Sequence, residues 1–196
     1  SLIVFNGYGI IDQFVSSSLS KSFESLQISS NFIQSGVFFL ILFILNSIIS
    51  IPFSFYNTFV IEEKFGFNKT TKLTFFIDII KSTLLSFFIG GILLFLALYL
   101  YENLNDGFWL WLWIGLSLLM ILINMFYADL IVPIFNKLTP LDDGELRNKI
   151  EKYSKDVGYL LKNIYVIDGS KRSTKANAFF SGLGPRKTIA LYDTLI

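Results

Sequence analysis

Three long apolar runs dominate the sequence, and they cover about residues 36–56, 73–101 and 108–130. Each run is long enough to cross a ~30 Å hydrocarbon core at about 1.5 Å of helical rise per residue. Hydrophobic residues make up 53% of the 196 residues, and the mean hydropathy is +0.60. That apolar content is above the usual level for a soluble domain. The sequence therefore predicts an all-α membrane region with three transmembrane helices.

The charged loops between these runs predict an orientation. The loop after the first run carries Lys64, Lys69 and Lys72, whereas the loop containing Glu102 has no lysine or arginine. Because basic residues concentrate on the cytoplasmic side, we predict that the lysine loop and the carboxyl-terminal segment face the cytoplasm. The amino-terminal residues 1–35 are then predicted to be an extracytoplasmic loop.

Charge and cysteine content exclude several kinds of protein. The net charge is +1, so there is no basic excess of the kind that binds nucleic acid. The chain has no cysteine, which excludes a disulfide framework.

Within the second run, Asp78 and Lys81 are three residues apart and are predicted to pair with each other at the helix entrance. A functional role for this pair inside the membrane is the alternative.

The segment 134–196 has the pattern of a small α+β domain, and residues 36–133 form the membrane region before it. An amphipathic helix is predicted from apolar residues at helical spacing, namely Leu146, Ile150, Tyr153 and Val157. A β-branched and aromatic strand follows at Asn163–Ile167. Two further strand-like runs, Ala176–Ser181 and Thr188–Tyr192, flank a glycine- and proline-rich turn and predict a β-hairpin. Asp193 is predicted to cap the start of a following helix.

Three separated motifs carry a family resemblance. They are Glu62–Asn68, Pro133–Leu141, and the combination of Asp168–Ser173, Asn177–Phe180 and Asp193–Leu195. In this order the motifs resemble those of the type I CAAX prenyl proteases, which are integral-membrane zinc metalloendopeptidases. The resemblance implies a zinc cofactor, a peptide substrate and a multi-pass location in the lipid bilayer.

The zinc ligands that the resemblance implies are not in this sequence. The family's His-Glu-x-x-His motif follows shortly after Asp-Thr-Leu, but this chain has no histidine and no cysteine. Catalytic zinc sites usually need at least two nitrogen or sulfur ligands. We therefore expect a fragment that ends just before its zinc motif and is inactive alone. Zinc is expected only in the intact protein.

The resemblance also implies roles for particular residues. Asn177, Ala178 and Phe179 are expected to form an edge strand that flanks the substrate backbone, with Asn177 donating to a substrate carbonyl or oxyanion. From residue types alone, the alternative is that Asn177 caps a strand and Phe179 fills the core. From residue chemistry rather than from the resemblance, the basic pair Lys171 and Arg172 is a candidate contact for a substrate carboxylate, because arginine binds carboxylates with two hydrogen bonds. The alternative for this basic pair is a solvated position.

These observations support a leading hypothesis and two rivals. The leading one is part of a membrane-embedded zinc metalloendopeptidase that cleaves membrane-associated or prenylated peptides, with the substrate paired to the edge strand. The first rival is a non-catalytic polytopic scaffold or quality-control protein that lacks the zinc site. The second is a transporter component, which is disfavoured because no paired charges lie deep in a predicted span.

Overall fold

The computed structural model describes residues 6–23, 30–104 and 106–196. The helices are α1 Gly7–Phe23, α2 Ser30–Tyr56, α3 Lys72–Asn103, α4 Phe108–Phe126, α5 Val132–Phe135 and α6 Glu145–Asp156. The strands are β1 Leu138–Pro140, β2 Asn163–Ile167, β3 Ala178–Ser181 and β4 Thr188–Tyr192. The membrane helices thus come first, and the small sheet follows.

Three helical stretches in the described residues are long and apolar enough to cross a membrane, namely Phe32–Glu62, Lys72–Asn103 and Phe108–Phe135. The first and third extend beyond the predicted ends near 56 and 130. In both, a π-helical turn continues the helix, at Asn57–Glu62 and at Tyr127–Ile131. Pro133 lies in α5, which directly follows the second π-helical turn, and proline cannot donate a backbone hydrogen bond to that preceding turn.

The amino-terminal segment differs from the predicted loop over 1–35. Its described part contains the 17-residue helix α1, and α2 already begins at Ser30. Helix α1 packs on α2, because Val15 is fully buried and the side chain of Gln34 donates to Asp12 at 3.4 Å. A serine-rich helix of this length is marginal alone and depends on such packing, which the local sequence does not reveal. Residues 1–5 and 24–29 lie outside the described part.

The carboxyl-terminal segment forms a four-stranded mixed sheet in the order β1-β2-β4-β3. Strands β2 and β4 are parallel, and the antiparallel strands β1 and β3 pair with their outer sides. The predicted membrane helices followed by helix, strand and hairpin are confirmed. Strand β1 was missed, because three residues ending in Pro140 have the composition of a bent connection.

The two faces of the sheet pack against different parts of the chain. One face joins the membrane region, since Ile167 and Ala190 of the sheet pack on Val132 of α5. The other face packs on α6 through a second cluster built on Leu141, Ile164 and Leu191, with Ile150 against it. The sheet is therefore attached directly to the end of the third membrane helix, with no flexible linker between them.

Candidate functional site

The outer side of β3 is an edge of the sheet. Its inner side pairs with β4 in the register Ala178↔Leu191 to Ser181↔Thr188, and the Tyr192 amide donates to the Asn177 carbonyl at 3.0 Å. In an antiparallel ladder, alternate residues exchange hydrogen bonds with the partner strand. The intervening residues, Ala178 and Phe180, therefore direct their N–H and C=O groups away from β4.

Three backbone amides point outward along this edge, and two of them are already bonded. The amide of Ala178 donates to Oδ1 of Asn177 at 2.9 Å. The amide of Gly182 donates to the carbonyl of Asn124 at 3.2 Å. The structure assigns no acceptor to the Phe180 amide among the residues that it describes. Phe180 thus offers an open donor on an edge whose neighbouring amides are both capped.

Asn177 lines a cavity of about 510 Å³ between the membrane helices and the segment that leads into β3. Charged residues from both sides line it, and they include Glu62, Asp78, Arg172 and Lys175. Because Oδ1 of Asn177 accepts from Ala178, the polar atom of this side chain left to act on a ligand is the amide nitrogen. Asn177 is exposed rather than packed in the core.

The three predicted strand residues occupy different environments. Asn177 and Ala178 are exposed at the edge, whereas Phe179 is partly buried against the core. The ring of Phe179 lies 5.4 Å from that of Tyr127, so its side chain supports the sheet. Phe180 was not singled out from the sequence, although it is 71% exposed and carries the open amide. Backbone groups in a strand alternate in direction, so Phe180 could have been suggested from the sequence. The sequence did not show which residues of β3 bond to the neighbouring strand, and that decides which alternate set points outward.

The Glu62–Asn68 motif pairs with the segment that leads into β3. The Lys69 amide donates to the Arg172 carbonyl at 2.9 Å, and an isolated antiparallel bridge joins Asn68 to Ser173. Lys175 forms an ion pair with Glu62 at 2.7 Å. The first and third motifs of the sequence, more than 100 residues apart, therefore form one structural unit beside the edge.

Arg172 contacts a carboxylate of the protein itself. Its Nε and Nη2 donate to the two carboxylate oxygens of Asp78 at 2.7 and 2.9 Å. This hydrogen-bonded pairing with Asp78 outweighs burial and raises the pKa of the Arg172 guanidinium. The expected pairing of Asp78 with Lys81 is replaced, because Lys81 donates to the carbonyl of Ile134 at 2.7 Å. The sheet brings Arg172 to Asp78 across 94 residues of sequence.

The helix predicted to follow Asp193 stays a prediction, because only three residues come after Asp193 in this sequence. The Asp193-Thr194 pair lies in a turn after β4, where the Asp193 carboxylate accepts from the Ser170 amide at 2.8 Å and from the Ser170 hydroxyl. The Thr194 hydroxyl donates to the Lys175 carbonyl at 2.9 Å. These hydrogen bonds thus fasten the segment before β3 to the end of β4.

Asp168 anchors the exit from the membrane region. Its carboxylate accepts from the Lys137 amide at 2.7 Å and pairs with Lys171 at 2.5 Å. Burial acts to raise the pKa of Asp168, but the hydrogen bonds and charge of Lys171 and the Lys137 amide prevail and hold it below 3.8. The stabilisation is therefore fully present above pH 3.8 and is lost as the pH falls through the lowered pKa.

We expect Asp168→Asn to lower the free energy of unfolding at pH 7 by about 1–2 kcal/mol, because a charge-assisted acceptor is lost. The variant should also lose less stability than the wild type when the pH drops from 5 to 3, since the titrating group is gone. Thermal unfolding in detergent across this pH range measures both effects. Asp156→Asn, at an exposed position on α6, is the matched control. Identical pH dependence in the wild type and Asp168→Asn would contradict the prediction.

The residues present do not fit a zinc ion. The chain has no histidine or cysteine, and the described ranges contain no group of three potential ligands from His, Cys, Asp and Glu. The carboxylates of Glu62, Asp78 and Asp168 face lysine or arginine side chains in ion pairs. These groups hold the structure together rather than forming a ligand set.

The described residues combine three apolar helices with a small sheet that packs directly on the end of the third helix. Two family models match these two parts of the chain. The model described as CAAX prenyl protease N-terminal, five membrane helices, matches residues 1–137, and the model of Peptidase family M48 matches residues 140–196. The chain belongs to the CAAX prenyl protease family, and the resemblance predicted from its motifs is confirmed.

Individual relatives agree with this assignment. CAAX prenyl protease 1 of Saccharomyces cerevisiae is 43% identical over 164 residues, which cover 83% of this chain and 36% of that protein. The human CAAX prenyl protease 1 homolog is 39% identical over 163 residues, which cover 83% of this chain and 34% of that protein. The crystal structure of S. mikatae Ste24p matches with a TM-score of 0.84 at 37% identity, over 99% of this chain and 45% of that one. The chain thus spans a third to a half of the length of these relatives.

Proposed function

We propose that the protein containing this chain is a zinc metalloendopeptidase embedded in the membrane, and that these residues align its peptide substrate. The observation that carries the proposal is the outer edge of β3, with the open amide of Phe180 next to the cavity of Asn177. An exposed strand edge binds an extended peptide through main-chain hydrogen bonds and is tolerant of side chains. A peptidase that cuts different sequences needs such a site.

The chain's own groups have defined tasks in this proposal. The Phe180 amide donates to a substrate carbonyl, and the outward carbonyls of Ala178 and Phe180 accept from substrate amides. The amide nitrogen of Asn177 donates to the carbonyl under attack or to its oxyanion. Zinc, when bound, would polarise that carbonyl and activate water. The residues of this chain do not fit the metal, so no step through it is assigned to them.

The proposed substrates are membrane-associated or prenylated peptides that approach from the cytoplasmic side. Several relatives are named CAAX prenyl proteases, and the basic loop around Lys64 supports this orientation. The strand edge lies directly beside the membrane helices, because the sheet packs on α5 at Val132. A peptide held near the bilayer by a lipid anchor would reach this edge without leaving the membrane surface. Lys171 remains a candidate contact for the substrate carboxylate.

A non-catalytic membrane scaffold or quality-control protein is the second candidate. Two measurements on the complete gene product separate the candidates. The coding sequence after Ile196 should contain His-Glu-x-x-His and a later glutamate. The purified protein should bind about one zinc ion and cleave a farnesylated peptide. A stop codon directly after Ile196, or purified protein with neither zinc nor cleavage, would support the scaffold instead.

A further inference from the structure

We infer that Asp78 and Arg172 form a positioning pair that fixes the substrate-aligning edge relative to the membrane helices. The inference rests on the proposed function, because it explains how β3 is held where a peptide can use it. It also gives Arg172 a role different from the expected contact with a substrate carboxylate.

The contacts of Arg172 join three separate parts of the structure. The guanidinium binds both carboxylate oxygens of Asp78 on α3, and Nη2 also donates to the carbonyl of Phe135 in α5 at 2.6 Å. The backbone carbonyl of Arg172 accepts from the amide of Lys69 at 2.9 Å and the hydroxyl of Thr70 at 3.1 Å. A single residue thus links α3, α5 and the loop between α2 and α3.

The ion pair between Arg172 and Asp78 is partly buried, so its geometry is better defined than that of a surface ion pair. The side chains of Arg172 and Asp78 are 24% and 23% exposed, so solvent screens them less than a surface pair. Bidentate arginine–carboxylate contacts constrain orientation as well as distance. An ordinary exposed pair would contribute little. This one fixes both the angle and the position of the backbone at Arg172.

The position of that backbone controls the substrate edge. Arg172 precedes Asn177 by only five residues, and the intervening segment has a second tie to the membrane region at Lys175–Glu62. Both ion pairs line the cavity that contains Asn177. A shift of Arg172 would therefore move the start of β3 and the Asn177 amide, while the core of the sheet at Ile167 and Ala190 stays in place.

The test compares Asp78→Asn with the wild type in the complete gene product, because Asp78 touches no substrate in the proposal. Two farnesylated peptides are used, one with a free carboxyl terminus and one amidated. We expect kcat/KM to fall about tenfold for both peptides, mainly through KM, since small misplacements of bound groups slow catalysis strongly. Zinc content should stay at the wild-type level. Arg172→Gln should behave in the same way, and the double variant should be no worse than the poorer single variant.

Glu151→Gln is the matched control, because it also removes a carboxylate bound to an arginine, Arg147, but within α6. It should leave KM unchanged. Asp78→Glu keeps the charge and should recover most of the activity, which separates positioning from a failure to fold. The inference fails if Asp78→Asn cleaves like the wild type. It also fails if Arg172→Gln impairs only the peptide with the free carboxyl terminus, because Arg172 would then bind substrate. Absence of cleavage by the wild-type protein would refute the proposed function itself.

Discussion

Replacing Phe180 by proline is expected to reduce kcat/KM for peptide cleavage about 100-fold while the protein still folds. Proline removes the one outward amide of the edge that has no acceptor among the described residues. A substrate carbonyl left without this donor costs about 1–3 kcal/mol, and each 1.4 kcal/mol corresponds to a factor of ten. The proline ring also occupies the space in which a pairing strand would lie.

The fold should survive this substitution because of the register of β3. Phe180 lies opposite Ile189 in a pair that exchanges no ladder hydrogen bonds, and proline is tolerated in edge strands at outward-facing positions. Phe180→Ala is the matched control, since it removes the same exposed ring and keeps the N–H. Cleavage rates and thermal unfolding are measured for both variants. Equal rates for Phe180→Pro and Phe180→Ala would show that the edge does not pair with substrate.

Replacing Gly182 by alanine is expected to lower the free energy of unfolding by about 3 kcal/mol. The φ angle of Gly182 is +90°, which a residue with a side chain adopts only with strain of about 1–3 kcal/mol. An added Cβ would also lie far inside van der Waals contact with the backbone carbonyl of Arg186. A backbone atom cannot move aside as a flexible side chain would, so the hairpin turn itself must open.

This turn matters for the site because it rests on the membrane region. Gly182 donates to the Asn124 carbonyl, and Arg186 lies over the ring of Phe126 at 4.7 Å. Gly184→Ala is the matched control, with a positive φ of 56° but no atom within 4 Å of the added Cβ. It should cost only about 1 kcal/mol. Thermal unfolding in detergent measures both variants, and equal losses would mean that the contact with Arg186 is relieved without cost.

The same substitutions separate stability from alignment. Phe180→Pro should change cleavage with little change in unfolding, whereas Gly182→Ala should change unfolding first and cleavage as a consequence. The distinction follows from where each residue points. Phe180 directs its backbone out of the sheet, and Gly182 lies in the turn that determines how β3 returns to β4. Hydrogen exchange of the β4 amides would report the second effect directly.

Much of the fold could be predicted because its signals are local. The membrane helices follow from run length and lack of charge, and helix α6, strand β2 and the hairpin follow from periodicity and turn residues. Helix α1 could not be predicted in this way, since its stability depends on packing against α2 at Val15. Strand β1 could not be predicted from the sequence either, because its three residues form a strand by pairing with β2, which is distant in the sequence.

The candidate site was also predicted only in part, because some of its features depend on contacts between distant residues. The motifs pointed to Asn177 and Ala178, and these residues lie at the edge of the sheet. The sequence did not indicate that Phe179 supports the core while Phe180 carries the open amide, because that phase depends on the bond between Tyr192 and Asn177. It also paired Asp78 with its neighbour Lys81, since helical spacing is the only proximity that a sequence displays.

The sequence by itself determined the class of the protein: apolar length requires membrane helices, turn chemistry requires a hairpin, and the ordered motifs indicate the family. Only the tertiary structure decided which backbone groups point out of the sheet and which side chains join the sheet to the membrane helices. Strand pairing sets the direction of each backbone amide, and folding brings Arg172 to Asp78 across 94 residues. Both depend on contacts between distant parts of the chain, and their energies are not recorded in any local pattern of residues.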